Sequence, residues 1–191
     1  MWLFECMIKC LDKKRLFLRT PCLSCSKRFN QCKMKQELVD SGIFLNVFLE
    51  EGNKDECSSL LNQHKKSYIG YLTTIQVSHI VRRFTEKIMK LERDNPQDIV
   101  AINHLTIKFE NCLNKVREFY IIDFDEKELP SLEDLRKENS LRIEFHDKLN
   151  VAVAINNRLN IQTSDRDLFG DSVEIKKIAN DYGKKIEINL V

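Results

Sequence analysis

Three aspartates of this sequence stand at the predicted ends of strands or starts of helices, and the carboxyl ends of strands are where open α/β sheets place their ligand sites. Asp40 follows the apolar pair Leu38-Val39, Asp147 precedes the run VAVAI, and Asp165 follows NIQT. Three carboxylates that meet in one pocket form an oxygen-rich site suited to Mg²⁺ or Mn²⁺. Such an ion polarises a phosphodiester and activates water for its hydrolysis. Each aspartate alone is more typical of a turn or a helix cap, so the set of three is the informative feature.

The elements that would position these side chains alternate between strand and helix. Apolar periodicity and turn residues predict strands that end at Asp40, at 68–74, 119–124, 160–163 and 185–190, and helices over 43–50, 56–64, 75–91, 96–116, 131 onward, 151–155 and 175–178. Thr73 or Thr74, Asn53 and Ser131 are the predicted N-caps, and Pro96 is placed in the first turn of its helix. This alternation predicts an α/β fold with a mainly parallel sheet, and such sheets hold ligands at the carboxyl ends of their strands.

The charge of the chain is divided unevenly along its length. The formal net charge is +2, but residues 1–33 carry eight basic side chains against Glu5 and Asp12, which leaves 23 basic and 27 acidic residues in 34–191. The main body is therefore mildly acidic, and any contact with nucleic acid must come from a local basic patch. The sequence has no apolar run long enough to cross a membrane, so we expect a cytoplasmic protein without a membrane partner.

Residues 1–33 form a basic, cysteine-rich N-terminal extension. Cys22, Cys25 and Cys32 offer up to three thiolate ligands for a structural Zn²⁺, which needs about four. The alternatives are a disordered basic tail or an extension that is not native, since Met34 directly precedes the first predicted strand. Disulfides are not expected, because the start of the chain has no clear signal peptide and the cytoplasm is reducing.

Four segments of the main body resemble the motifs of PIN-domain nucleases, in order and at suitable spacing. They are VDSGIFL, TTIQVSHIVRRF, HDKLNVAVAI and IQTSDRDLF. The resemblance covers residues 36–191 and is greatest to compact VapC-type toxins and related prokaryotic PIN proteins. It implies a three-layer PIN-like fold over residues 34–191, with a central, mainly parallel sheet flanked by helices. It also implies an acidic pocket for Mg²⁺ or Mn²⁺ and single-stranded RNA as substrate.

The resemblance assigns roles to individual residues. Asp40 matches the first acid of the family, Asp147 the third and Asp165 the fourth, and all three are the expected metal ligands and catalytic residues. Ser41 matches the small hydroxyl residue that follows the first acid, where it would contact substrate. Asp167 is a looser candidate for the metal site.

The second motif departs from the family pattern at His79. This position is commonly Glu in PIN proteins, whereas the present sequence reads Val77-Ser78-His79-Ile80. An imidazole can bind Mn²⁺ but suits Mg²⁺ poorly, because Mg²⁺ prefers oxygen ligands. His79 is therefore either a metal ligand or an ordinary surface or core histidine.

Three functions remain open from the sequence. The first is an active metal-dependent endoribonuclease, and the second is a catalytically weakened PIN-like protein that binds RNA or regulates. The third is an unrelated α/β binding domain, because a fold class does not decide function. Arg82, Arg83 and Lys87 would contact RNA phosphates in the first two, or else belong to a solvated helix face.

Two further partners are expected. The long helical pair from Thr74 to Arg117 carries an apolar stripe that would either form a homodimer interface or pack on the sheet of its own chain. Resemblance to PIN toxins implies a homodimer and a small antitoxin protein as partner.

Overall fold

The computed structural model describes residues 34–191. The zinc site predicted for Cys22, Cys25 and Cys32, like every other expectation for the N-terminal extension, lies outside the described residues.

A parallel β-sheet forms the centre of the described unit. Its strands are β1 (Lys35–Val39), β2 (Tyr68–Thr73), β3 (Tyr120–Ile122), β4 (Asn160–Thr163) and β5 (Ile188–Leu190). They lie in the order β3-β2-β1-β4-β5, and every pairing between them is parallel. Leu38 of β1 pairs with Tyr71 on one side and with Ile161 on the other. β1 is therefore the central strand, which explains the unbroken burial of its last three residues.

Helices connect consecutive strands. They are α1 (Ser41–Phe48), α2 (Lys54–Gln63), α3 (Thr74–Asp94), α4 (Ile99–Val116), α5 (Leu129–Lys137), α6 (Phe145–Asn157), α7 (Arg166–Gly170) and α8 (Ser172–Asp181). A short 3₁₀ turn, Glu126–Glu128, leads into α5. Because parallel crossovers are right-handed, the strand order places α1 to α4 on one face of the sheet and α5 to α8 on the other. The helices of each set contact one another, which completes the predicted three-layer fold.

Apolar side chains of the helices cover each face of the sheet. On the first face Phe84 stacks on Phe109 with ring centroids 4.9 Å apart, and this contact joins α3 to α4. On the second face, α5, α6 and α8 contribute Leu135, Ile155 and Ile175, all fully buried. Burial of a large aliphatic side chain stabilises a fold by about 1.5–3 kcal/mol, so these layers hold the sheet edge that carries the aspartates.

Two predicted helix starts are wrong, and local capping explains both. Pro96 precedes α4 and is not in its first turn, because the Asp98 side chain accepts a hydrogen bond from the Ala101 N–H (3.0 Å) and fixes the start at Ile99. Ser131 lies inside α5 and is not its N-cap, because the preceding 3₁₀ turn already starts the helical backbone at Leu129.

Other boundaries also differ from the prediction: α6 begins at Phe145 and not near Val151, and α8 spans Ser172–Asp181 and not only 175–178. α1 begins at Ser41, directly after β1, and not near Ile43. β3 and β5 are shorter than predicted: β3 ends at Ile122, opposite Thr73 at the end of β2, and β5 begins only at Ile188, opposite Ile161. By contrast, Thr73 caps α3 as predicted and forms a reciprocal capping box with Gln76. In the described part of the chain, every helix is too short or too polar to cross a lipid bilayer.

Candidate metal centre

The strand order brings two of the predicted aspartates to neighbouring positions. The order reverses between β1 and β4, and ligand sites of open α/β sheets lie at such a reversal, outside the carboxyl ends of the strands. Asp40 follows β1 and Asp165 follows β4 after one intervening residue. Asp147 comes from the first turn of α6.

A cleft of about 170 Å³ opens at this point of the sheet. Its lining residues are Asp40, Ser41, Gly42, His79, His146, Asp147, Ser164 and Asp165. The structure therefore brings Asp40, Asp147 and Asp165 to one cleft together with Ser41 and His79. Asp167 is exposed and does not line the cleft.

Asp40 occupies the N-cap position of α1, but its carboxylate does not cap that helix. One oxygen, Oδ2, accepts a hydrogen bond from the Thr163 hydroxyl (2.9 Å), and the other, Oδ1, accepts one from the Ser41 hydroxyl (3.3 Å). The backbone N–H of Asp40 donates to Gln162 O (2.8 Å). The Asp40 carboxylate is thereby held at the end of β1 by contacts to β4 and to the first residue of α1.

Thr163 ties the two acidic loops together. Its hydroxyl donates to Asp40 and accepts a hydrogen bond from the Asp165 N–H (2.9 Å). The Asp165 carboxylate in turn caps α7 by accepting from the Asp167 N–H (2.8 Å). Asp165 therefore keeps one carboxylate oxygen, Oδ2, outside this cap.

The third aspartate is positioned through the loop before α6. Asp171 is buried and accepts hydrogen bonds from the backbone N–H groups of Arg142 (2.6 Å) and Ile143 (3.1 Å). This contact fixes the segment that precedes Asp147 against the segment that follows Asp165. The Asp147 side chain is 16% exposed, and its Oδ1 lies 3.3 Å from His146 Nε2.

His79 reaches the cleft from α3. Its Nδ1 lies 3.0 Å from the Ser41 hydroxyl, and its ring centroid is 6.0 Å from that of His146. The start of α3 is fixed to α6 because the Thr73 hydroxyl donates to Asn150 Oδ1 (2.6 Å). His79 is therefore a half-buried residue of the cleft wall and not a surface side chain.

The carboxylates of the cleft are held in an environment that disfavours their charge. Burial raises the pKa of Asp40, and the nearby Asp165 carboxylate raises it further, against the hydrogen bond from Thr163. Burial raises the pKa of Asp147 to about 6, and Asp40 and Asp165 add to this effect while His146 opposes it. A cation in the cleft would relieve this mutual repulsion.

The pKa of the His79 imidazole is shifted in the opposite direction, below its ordinary value. Burial lowers its pKa, and the positive charge of Arg82 lowers it further. His79 is therefore a neutral imidazole near pH 7, which is the form that binds metal ions.

The donors of the cleft suit a hydrated divalent ion. Within residues 34–191, no three acidic, histidine or cysteine side chains lie close enough together to surround an ion by themselves. Mg²⁺ is usually held by one or two carboxylates and completes its coordination with water and substrate oxygens. One or two of the carboxylates of Asp40, Asp147 and Asp165 would meet that requirement, since all three line a cleft of about 170 Å³.

The basic residues predicted to bind substrate lie on the helix that carries His79, but outside the cleft wall. The side chains of Arg82 and Arg83 are 67% and 39% exposed, and each has a nitrogen 3.8 Å from Glu86. Lys87 is paired with Glu51.

Besides Gly42, which follows Ser41 in the first motif, the sequence prediction missed His146, Ser164 and Thr163. His146 directly precedes Asp147, and the other two directly precede Asp165, so each lay within a recognised motif. Position next to an acidic residue was the available signal. Periodicity alone does not reveal which loop side chains face the cleft, because their directions depend on tertiary contacts such as the one from Asp171.

The arrangement of strands and helices defines the fold class of the described residues. The described chain has the PIN-like α/β fold that its motifs predict, with acidic residues at the reversal of strand order.

Comparison with a solved structure agrees with this fold. The chain is similar in fold to VapBC2 from Rickettsia felis bound to a DNA fragment from its promoter. The TM-score is 0.53 at 17% sequence identity, over 80% of this chain and 97% of that chain. Structures of VapBC-5 from Mycobacterium tuberculosis and of FitAcB from Neisseria gonorrhoeae are also similar. VapBC-5 matches with a TM-score of 0.49 and 15% identity over 81% and 98% of the two chains, and FitAcB with 0.48 and 18% over 78% and 95%.

Sequence comparisons add no closer relative. A scan against protein-family models finds no match, and a search of curated proteins finds none of significant similarity.

Proposed function

We propose that the chain is a metal-dependent endoribonuclease of PIN type that acts as the toxin of a toxin-antitoxin pair. The observation that carries this proposal is the meeting of Asp40, Asp147 and Asp165 in one cleft of a PIN-like fold. These carboxylates would hold Mg²⁺ or Mn²⁺, and the ion would supply Lewis acidity toward the phosphodiester and activate water.

The chain's own residues have separate parts in this function. Thr163 and Ser41 hold the Asp40 carboxylate, and Asp171 holds the loop that leads to Asp147. The exposed guanidinium groups of Arg82 and Arg83 would pair with RNA phosphates outside the cleft.

A cleavage assay on labelled single-stranded RNA tests the activity. We expect cleavage with Mn²⁺ or Mg²⁺, none with a chelator, and a loss of about 100-fold or more for Asp40→Asn, since even partners of metal ligands are worth 10–100-fold. Asp123→Asn is the matched control, because Asp123 is an exposed loop residue. Equal cleavage by the wild type and Asp40→Asn would show that the activity belongs to another site or to a contaminant.

His79 favours a second candidate function, in which the protein binds RNA but cleaves it weakly. The cleft has an imidazole where the family commonly has a carboxylate, and one negative charge fewer. In that case wild-type protein binds RNA without cleaving it, and His79→Glu gains cleavage in Mg²⁺. No gain by His79→Glu would exclude this explanation.

The toxin role implies a small antitoxin protein as partner, and the similar Rickettsia felis structure is one of a VapBC pair. Expression of the wild-type chain alone should arrest bacterial growth, whereas expression of Asp40→Asn to the same level should not. Growth arrest by both would indicate that the effect does not depend on the cleft.

The helices α3 and α4 are the proposed homodimer surface. Most of the apolar stripe of these two helices, including Ile80 and Phe84, packs against the rest of the chain, but other apolar side chains remain exposed. The exposed ones are Met89, Ile99, Val100 and Ile107. A dimer by light scattering that becomes monomeric in Val100→Glu would support this surface, and an unchanged mass would contradict it.

A further inference from the structure

The two ends of the parallel strands carry opposite charge. The strands all begin at one edge of the sheet, opposite the edge that carries Asp40 and Asp165. This amino edge comprises the first residue of each strand and the described residues up to four positions before it, namely 34–35, 64–68, 116–120, 156–160 and 184–188. It contains seven basic residues and two acidic ones, Glu118 and Glu187. The rest of 34–191 has 16 basic and 25 acidic residues (23−7 and 27−2), so the amino edge is positive on an otherwise negative body.

Most of the basic side chains of the amino edge are open to solvent and to a partner. Six of them are exposed, namely Lys35, Lys65, Lys66, Arg117, Arg158 and Lys185. Within residues 34–191 none of these six forms an ion pair, because Glu118 is paired instead with Lys115 (2.9 Å). Arg117 donates a hydrogen bond to the neutral side chain of Asn114 (2.9 Å), which leaves its charge uncompensated.

Two of the six basic residues hold a backbone conformation that favours glycine. Lys65 has a φ of 63° and Arg158 a φ of 55°, in the left-handed region where a side chain is unfavourable. Glu50 has a similar φ of 59°, but its carboxylate is paired with Lys54 and Lys108. Lys65 and Arg158 have no such ion pair within residues 34–191, so the fold gives no reason of this kind for a long cationic side chain at either position.

The dimensions of the amino edge suit a phosphate backbone. Neighbouring strands lie about 4.8 Å apart, so five strand starts form a row roughly 19 Å long. Lys and Arg side chains that contact phosphates supply the sequence-independent part of nucleic-acid binding.

The same edge suits a lipid surface poorly. Proteins that lie on a membrane insert apolar side chains beside their basic ones. The large apolar side chains that are exposed within residues 34–191 lie in helices or, for Leu190, at the carboxyl end of β5, with the exception of Tyr120. Tyr120 begins β3 and is 45% exposed, and an aromatic ring in that position can also stack on a base.

We propose that the amino edge binds the phosphate backbone of a nucleic acid, on the opposite side of the sheet from the acidic cleft. The uncompensated cations attract the phosphates, whereas the negative remainder of the body repels them. This binding goes beyond the proposed function, because it requires neither a metal ion nor any residue of the cleft.

Fluorescence anisotropy with labelled single-stranded RNA and a chelator tests the proposal on the full chain. The affinity should fall steeply between about 50 and 200 mM salt. A triple variant of the amino edge should bind about 10-fold or more weakly at about 100 mM salt and show a smaller salt dependence, because up to three phosphate contacts are lost. Its substitutions are Lys66→Gln, Arg158→Gln and Lys185→Gln.

A matched triple variant removes the same charge from exposed positions on α3 and α8, and should bind RNA almost as the wild type does. Its substitutions are Lys90→Gln, Arg93→Gln and Lys177→Gln. All variants keep residues 1–33, so the basic residues of that segment are the same in each. Equal losses of affinity in the two triple variants would show that only net charge matters, and would overturn the proposal.

A glycine variant separates RNA binding from protein stability. Lys65→Gly combined with Arg158→Gly should not lower Tm, because glycine favours a left-handed φ, but should weaken RNA binding by about 10-fold. A lower Tm with unchanged RNA affinity would show that these cations stabilise helix carboxyl ends instead, and the proposal would fail.

Two further comparisons identify the partner and separate the proposal from the proposed function. Binding to vesicles that contain phosphatidylserine, without binding to RNA, would assign the amino edge to a membrane and overturn the proposal. Asp40→Asn should bind RNA as the wild type does in the chelator. If the amino-edge variant keeps full RNA affinity while the wild type cleaves RNA, the proposal fails and the proposed function stands. If the variant loses RNA affinity but the wild type never cleaves, the proposal stands and the nuclease function fails.

Discussion

Replacing Asp147 by asparagine should stabilise the metal-free protein at neutral pH. The pKa of Asp147 is raised to about 6 in the folded protein, from an ordinary value of 3.8, mainly by burial. The folded state therefore binds this proton more tightly than the unfolded state does, and the free energy of unfolding falls as the pH rises from about 4 to about 6. Above pH 6 the whole penalty is present.

The size of the penalty follows from the shift. One pKa unit corresponds to about 1.36 kcal/mol, so the ionised Asp147 side chain destabilises the folded protein by at most about 3 kcal/mol. An asparagine side chain cannot ionise, so Asp147→Asn should gain about 1–3 kcal/mol at pH 7 and little at pH 4. For a domain of this size that gain raises Tm by about 2–10 °C.

Urea unfolding at pH 4, 5, 6 and 7 in the presence of a chelator directly measures the difference in free energy of unfolding between Asp147→Asn and the wild type. Asp123→Asn, at an exposed loop position, is the control and should show no comparable dependence on pH. Addition of Mn²⁺ should stabilise the wild type but not Asp147→Asn, because a ligand stabilises only the state that binds it. A difference that is equal at pH 4 and pH 7, or a loss of stability at pH 7, would refute the reasoning.

Three other substitutions test how the site is held. Asp171→Ala removes a buried carboxylate that accepts two backbone N–H groups, and should cost about 2–3 kcal/mol in urea unfolding; an unchanged midpoint would show that this anchor is dispensable. Gly70→Ala places a Cβ against the Phe119 ring, closer than van der Waals contact allows, and should cost about 1–3 kcal/mol by overpacking, so an unchanged Tm would contradict the packing. Gly42→Ala places a Cβ 2.8 Å from Ser164 Oγ and 3.3 Å from Asp40 Oδ2. It should therefore weaken the free energy of Mn²⁺ binding by more than it lowers the free energy of unfolding. A larger loss in unfolding than in binding would contradict the place of Gly42 in the cleft.

The sequence predicted the fold best where strands and helices alternate regularly and where a strand is buried between neighbouring strands. The alternation of strands and helices indicated the parallel sheet, and the buried end of β1 placed Asp40 at its carboxyl edge. Helix starts were less predictable. Pro96 and Ser131 both have residue types that favour a first turn, but a competing cap at Asp98 and a preceding 3₁₀ turn moved the starts of α4 and α5.

The candidate site was predicted in part for a related reason. Asp40, Asp147 and Asp165 were recognisable because each follows a strand or stands at the start of a helix, and all three line the cleft. The contribution of His146 required tertiary structure, because its distance to His79 joins residues 67 positions apart in the chain. The buried anchor at Asp171 likewise acts on backbone groups 28 and 29 positions away.

Anomalous scattering from Mn²⁺ is the most direct test of the metal site. Crystals of the full chain are soaked in MnCl₂, and data are collected above and below the manganese absorption edge. The proposed function predicts a peak in the cleft between Asp40, Asp147 and Asp165. A well-diffracting soaked crystal with no peak in the cleft, or with peaks only at surface carboxylates such as Glu50, would contradict the metal-dependent function.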